Sequence, residues 1–382
     1  MTALRAGQAG FSDRETQGPL WLRFDMSIVL LSAALVAFGL VVVYSATRGP
    51  VLAATDIPDT SFLRRQVLFV GVGGFLATVV ASIDYRKTKP VVPIIYGGTV
   101  VLLIGLFFFG SEFNGAVSWY SFGFVTLQPS EFAKLSLIVA LAAWFSSIEE
   151  RDGLAFVNVI AGLAIAGLLA GLVLIQPDFG TVMVYAAIVA GIVVVGGASL
   201  TQVMATLSFV AAAIVVMIQG GFLRQAQLDR FTAFIDPEST ERFTVFQSEV
   251  AIGNGGLTGT GLFQGTQNNS SLVPEKETDF IFSVLGEEFG FIGGAALLVL
   301  LGLLLVRIWR VAHLAEDSYG RLICVGVFAM FLFQAFQSIG MNMGMMPVTG
   351  IPLPLISFGG SSMLTTLMAL GLVENVHAHR LR

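Results

Sequence analysis

Two places in this 382-residue chain set ionisable side chains inside sequence that is otherwise compatible with hydrocarbon. The first is Asp279, in the tripeptide Thr278-Asp279-Phe280, where a long polar loop gives way to an apolar run that soon carries Glu287 and Glu288. A carboxylate at such a boundary is costly unless it has work to do, and proton acceptance is the work a carboxylate does best. The second place is Glu131 with Lys134, three residues apart and so on one face of a helix. Two readings are open. The pair neutralises itself and merely tolerates burial, or Lys134 is turned into a solvated cavity to meet an anionic group.

Other polar stretches frame these residues. Trp119 and Gln128-Pro129-Ser130 precede Glu131, and Ser130 is expected to cap a helix whose entry Pro129 fixes. In Gln176-Pro177-Asp178, the aspartate is placed to cap a helix that begins near Thr181, a structural role. The loop that ends at Asp279 holds Arg230, Gln247, a glycine-rich series over 253–261, Glu275 and Thr278. Turns of that kind either flex or point backbone N–H groups at an anion such as pyrophosphate. Near the C-terminus, Pro347, Pro352 and Pro354 accompany Ser357, Gly359, Gly360 and Ser361 in the opening of an apolar segment. A helix broken there either packs in protein or walls a polar site, because unpaired backbone is not tolerated against lipid.

Composition sets the class that must position these groups. Hydrophobic residues make up 55% of the chain and charged ones 12%, and the mean hydropathy is +0.84, far from a soluble globular balance. The net charge of −5 offers no basic surface for nucleic acid, and Cys324 is the single cysteine, so no intrachain disulfide can form. No lysine follows a glycine, which removes a GxxxxGK phosphate loop, and no GxSxG elbow occurs. No cleavable signal peptide is expected, since the first apolar run is long enough to span.

The apolar pattern predicts an all-α polytopic membrane protein with ten spans, at 26–45, 67–83, 91–109, 129–146, 154–175, 181–197, 200–218, 289–306, 322–340 and 351–373. The eighth is read with an alternative start near Phe280, and Gly71, Gly73, Gly74, Gly167 and Gly171 are read as helix–helix contacts. Residues 1–25 form an N-terminal tail and 26–382 one membrane domain, with the loop 219–279 between the seventh and eighth spans. Arg86, Lys87, Lys89, Arg151, Arg307, Arg310, Arg321 and the terminal arginines fall on one side, against Arg48, Arg64 and Arg65 on the other. That bias places both termini in the cytoplasm and the loop outside. His313, His377 and His379 then lie inside, which leaves carboxylates as the available outward bases.

Taken in order, Gln128-Pro129-Ser130-Glu131 with Lys134, Gln176-Pro177-Asp178, the 253–261 turns, Pro274-Glu275 with Thr278-Asp279-Phe280-Ile281-Phe282, and Pro352-Leu353-Pro354 with Ser357-Phe358-Gly359-Gly360-Ser361-Ser362 resemble the SEDS family (shape, elongation, division and sporulation). Pro347-Val348-Thr349-Gly350 is more similar to its elongation (RodA) branch than to its division (FtsW) branch, while Phe358 stands where Tyr is usual. The resemblance implies a ten-helix peptidoglycan glycosyltransferase of the bacterial cytoplasmic membrane. It would polymerise lipid II at the outer face, alongside a class B penicillin-binding protein and other elongation-complex proteins, among membrane lipids and without nucleic acid. Asp279 would be the base of an inverting transfer, Lys134 would stabilise the departing pyrophosphate with help from Arg48 or Arg230, and Glu131 would orient Lys134. Trp119, Gln128, Ser130, Gln247, Glu275, Thr278, Ser357, Gly359, Gly360 and Ser361 would contact substrate. No cofactor is required; a divalent cation, Mg or Mn, is compatible with the pyrophosphate. The competing reading from another class is a lipid II flippase, which the broken last helix and the charge pair also suit.

Overall fold

The computed structural model describes residues 23–48, 59–113, 116–121, 123, 126–148, 154–219, 240–269 and 273–380. Helix starts follow local capping chemistry. Asp25 accepts the Ser27 N–H at 2.9 Å and opens α1, Met26–Thr47. Asp59 accepts the Ser61 N–H at 2.7 Å, so α2 runs over Ser61–Ser82 and takes in Arg64 and Arg65, starting before the expected 67. A 3₁₀ segment, Tyr85–Val91, leads into α3, Val92–Phe109. Then α4 is Pro129–Phe145, α5 Phe156–Ile175, α6 Phe179–Val195 and α7 Leu200–Gln219. Ser199 and Gln202 open α7 with a reciprocal capping box. In the loop lies α8, Thr240–Gly255, followed by α9, Ile281–Leu314, α10, Ser318–Asn342, and α11, Gly360–His379.

Six of these units are long and apolar enough to cross a membrane: α1, α2, the Tyr85–Phe109 unit, α5, α9 and α10. Lipid as solvent explains their outer faces, where Phe75, Ile94 and Phe108 stand exposed. Buried at the centre are α4 and α10, with Leu137, Ile138, Leu141, Ile323 and Val327 inaccessible. The glycines expected at helix contacts divide: Gly73 faces Leu367, but Gly71, Gly74, Gly167 and Gly171 meet open space. Close approach is made instead at Gly371, where a Cβ would lie 2.5 Å from the Ala77 carbonyl oxygen.

Three further differences matter for the site. The fold is not wholly helical: between α3 and α4, β1 (Ser111–Phe113), β2 (Ala116–Ser121) and β3 (Thr126–Leu127) form an antiparallel sheet in the order β1-β2-β3. Its register sets Ser121 against Thr126 and Tyr120 against Leu127. The last helix begins at Gly360, not 351, because the prolines and the left-handed Leu355 (φ 65°) hold 351–359 out of helical form. And α9, which starts at Ile281 in keeping with the alternative start near Phe280, continues across an unforeseen break at Gly290 (φ 63°, ψ −161°), a backbone region open essentially to glycine alone.

That break explains the glycine-rich series. It strands the carbonyls of Glu287 and Glu288 and the N–H groups of Phe291 and Ile292, which cannot remain unpaired at membrane depth. The loop supplies all four partners. Thr260 N and Gly261 N donate to the Glu287 and Glu288 carbonyls at 2.9 and 3.2 Å, while Phe291 N and Ile292 N donate to Gly256 and Leu257 at 2.9 and 3.1 Å. The N–H groups of Thr260 and Gly261 are thus spent on the broken helix, and the pyrophosphate-cradle reading of this segment is corrected accordingly.

Candidate active site

A cavity of about 480 Å³ opens where α4, α6 and α11 begin, within the size range of small-molecule sites. Gln128, Asp178 and Gly359, the residues that precede those three helices, all line it. The N-termini of α4 and α11, which carry no side-chain cap, bring partial positive charge to this space and suit an anion, while that of α6 is capped by Asp178. Opposite them, the loop before α9 contributes Glu275, Glu277, Thr278 and Asp279, and the sheet contributes Ser118, Trp119 and Thr126.

Glu131 and Lys134 line the same cavity although both are almost fully buried, and Lys134 Nζ donates to Glu131 Oε1 at 2.5 Å. The two readings of this pair therefore meet: it is an ion pair, and it borders the cavity. Asp178 is the local organiser. Its Oδ1 accepts the Thr181 N–H at 3.1 Å, as the expected cap, and its Oδ2 accepts from Gln128 Nε2, Ser130 Oγ and Thr181 Oγ1 at 3.0, 2.9 and 2.8 Å. One carboxylate thereby joins the first turns of α4 and α6 and fixes the direction in which Glu131 emerges.

Asp279 is held through its backbone. Three successive carbonyls each receive a donor from a different place: Phe358 N reaches Glu277 O at 2.9 Å, Ser357 Oγ reaches Thr278 O at 2.6 Å, and Asn342 Nδ2 reaches Asp279 O at 2.8 Å. Glu275, in the left-handed region (φ 49°), accepts the N–H groups of Thr278, Asp279 and Phe280, which closes the turn. Beside it, burial draws Lys276 below the usual lysine range, against the opposing pull of Glu277, Glu287 and Glu288. Gln66 of α2 fastens the other wall, donating to Ser357 O at 3.0 Å and accepting from Gly359 N at 3.3 Å.

Of the residues singled out from sequence, Asp279, Lys134, Glu131, Trp119, Gln128, Glu275, Thr278, Gly359, Gly360 and Ser361 all line the cavity. Others do not. Ser130 is fully buried and turned to Asp178, and the cap position it was expected to fill belongs to Gln128. Ser357 clamps two backbone segments, since its hydroxyl also accepts Leu353 N at 2.9 Å. Arg48, at the end of α1, lies 4.1 Å above the Phe263 ring, and Gln247 sits on α8 away from the lining. Arg230 lies outside the described residues. Glu287 and Glu288 are buried structural acceptors: Glu287 Oε1 takes Gln267 N at 2.9 Å, and Glu288 Oε1 takes Ser45 Oγ at 2.5 Å. Sequence reasoning missed Gln66, Asn342 and Glu277. The first two were visible as lone amides at the edges of apolar runs.

Comparison with known proteins identifies the family. The family model described as the cell cycle protein FtsW/RodA/SpoVE matches residues 25–382. The chain is 34% identical over 361 residues to the probable peptidoglycan glycosyltransferase FtsW of Trichlorobacter lovleyi, covering 93% of each chain. It is 31% identical to the peptidoglycan glycosyltransferase MrdB of Escherichia coli, over 97% of this chain and 98% of that one. Among solved structures, it is similar to a chain of a peptidoglycan synthase complex described as coordinating polymerization and crosslinking, with TM-score 0.76 and 33% identity over 95% and 100% of the two chains. It also resembles the rod shape determining protein RodA of Thermus thermophilus, with TM-score 0.71 and 32% identity over 95% and 100%. The family expected from the motifs is the family found: this multi-pass membrane chain belongs to the FtsW, RodA and SpoVE family of cell cycle proteins.

Proposed function

We propose that this chain is a peptidoglycan glycosyltransferase that builds β-1,4 glycan strands from lipid II. The observation that carries the reading is that the Asp279 carboxylate and the Glu131–Lys134 pair border one cavity framed by three helix N-termini. The donor brings its own pyrophosphate leaving group, so what the protein must supply is a base for the acceptor hydroxyl and positive charge for the departing oxygen. Asp279 takes the proton. Lys134, aimed by Glu131, and the N-termini of α4 and α11 stabilise the pyrophosphate. A divalent cation, Mg or Mn, is compatible with the pyrophosphate of the donor.

In this reading α1–α7 and α9–α11 are ten spans, with both termini cytoplasmic and the loop that holds α8 outside. The similarity to a chain of a complex that couples polymerization to crosslinking favours a penicillin-binding protein as partner. An elongation role rests on Pro347-Val348-Thr349-Gly350; relatives named FtsW and MrdB, at 34% and 31% identity, do not separate the branches. The test is purified protein with its transpeptidase and fluorescent lipid II. Glycan polymer is the expected product, and translocation of lipid II without polymer would establish the flippase reading in its place. Orientation is checked by cysteines near Thr240 and at Lys87, which should label from opposite sides of the membrane. Labelling of both from outside would overturn the placement of the active site.

A further inference from the structure

At the end of α9 remote from the cavity is a second, smaller recess, of about 130 Å³, lined by Asp25, Arg307, Arg310, Val311, Leu314, His377 and Arg380. The 34-residue α9 runs roughly 50 Å, so this recess and the cavity face opposite surfaces of the membrane. Cations near helix C-termini are commonplace, because they complement the dipole and follow the charge bias of membrane loops. That accounts for each arginine singly. It does not account for three guanidinium groups converging on one recess.

The local charge balance is incomplete. Arg307 pairs with Asp25 at 2.5 Å, and Glu374 accepts the Asp25 N–H at 2.8 Å. Arg310 and Arg380 make no ion pair or hydrogen bond among the described residues. Arg307 Nε and His377 Nδ1 are buried without a hydrogen-bond partner there, and His377 Nδ1 stands 4.0 Å from Asp25 Oδ2. Among the described residues, three fixed cations face two carboxylates, and Glu374 Oε1 is buried without a partner as well, so the recess combines a net positive charge with polar atoms that have bonding capacity left. The apolar side of the recess tells where a matching anion would come from. Val311 and Leu314 share the lining, Leu314 is exposed, and Val306 is exposed one turn before Arg310 on the same helix. We propose that this recess binds the phosphate of an anionic phospholipid headgroup in the leaflet opposite the active-site cavity, with Arg310 and Arg380 as its principal ligands and Arg307 held in place by Asp25.

The experiment uses the purified full-length chain in detergent, titrated separately with dioleoylphosphatidylglycerol, with dioleoylphosphatidylcholine and with inorganic phosphate. Bound lipid is read by native mass spectrometry and protection by the thermal midpoint. Phosphatidylglycerol should bind and protect, with the other two well behind. The double variant Arg310→Gln/Arg380→Gln should weaken phosphatidylglycerol binding about thirtyfold. Lys87→Gln/Lys89→Gln, which removes two charges elsewhere on the same face, should leave it unchanged. As a measurement independent of any variant, phosphatidylglycerol should shield Arg310 of the parent protein from a guanidine-reactive dicarbonyl. Equal losses in the two double variants, or no shielding, would overturn the site. Protection by inorganic phosphate equal to that by phosphatidylglycerol would overturn the lipid source and assign a soluble phosphate.

Discussion

Asn342, the last residue of α10, holds Asp279 from behind: its Nδ2 donates to the Asp279 carbonyl at 2.8 Å and its Oδ1 accepts the Ser283 N–H at 3.0 Å. One amide therefore bridges the residue that carries the base and the first turn of the helix that follows it. In Asn342→Leu the Asp279 carbonyl loses this donor, at about 1–3 kcal/mol, while the Ser283 N–H keeps its bond to the Phe280 carbonyl at 3.1 Å. Turnover should fall by more than donor KM rises, since a displaced base harms the transition state more than binding. A folded Asn342→Leu protein that polymerises at the parent rate would show the bridge to be idle.

Asp279→Asn keeps the backbone that those contacts grip and removes only the basicity. The thermal midpoint should stay near that of the parent, and polymerisation of lipid II should drop at least about 100-fold, as expected for loss of a general base. Near-normal polymer on a gel would exclude Asp279 from that role.

The buried pair separates charge compensation from catalysis. Glu131→Gln or Lys134→Met alone strands its partner and should cost about 3–5 kcal/mol, whereas Glu131→Gln with Lys134→Met should restore much of the stability. If Lys134 stabilises the departing pyrophosphate, activity will not return with stability. A double variant as active as the parent would reduce the pair to packing.

Gly290→Ala tests the helix break. The added Cβ would lie 2.3 Å from Gly259 N, in a backbone region that already costs an L-residue about 1–3 kcal/mol. The expected result is a lower thermal midpoint and earlier proteolysis within the loop. An unchanged midpoint and digestion pattern would mean that the break is not required.

What could be read in the sequence and what could not divide on physical grounds. Pro129 announced the start of α4, and Asp178 the start of α6, because a proline or a capping carboxylate acts on its own neighbours. Asp279, Glu131 and Lys134 stood out because charge is rare in such sequence. The roles of Ser357, Gln66 and Asn342 were hidden, since the partners of Ser357 and Gln66 lie 79 and 291 positions away and that of Asn342 lies 63 away. The start of α11 was misplaced because an apolar segment with prolines reads the same whether it is coiled or extended. The glycine series was recognised as special, but its partner was a helix break that no hydropathy pattern reveals.

None of residues 256–261 lines the cavity, yet together they complete the helix that Asp279 precedes. A saturation screen of this chain would accordingly find two populations of intolerant glycine. Gly359 would answer to substrate, so its variants should shift donor KM and be sensitive to changes in the lipid II headgroup, whereas Gly360, whose added Cβ would lie 2.6 Å from the Phe69 ring, answers to packing as well. Gly259 and Gly290 would answer to architecture, with variants that fail alike for every donor. Intolerance alone would draw the active site too large, and the response to substrate would redraw its edge.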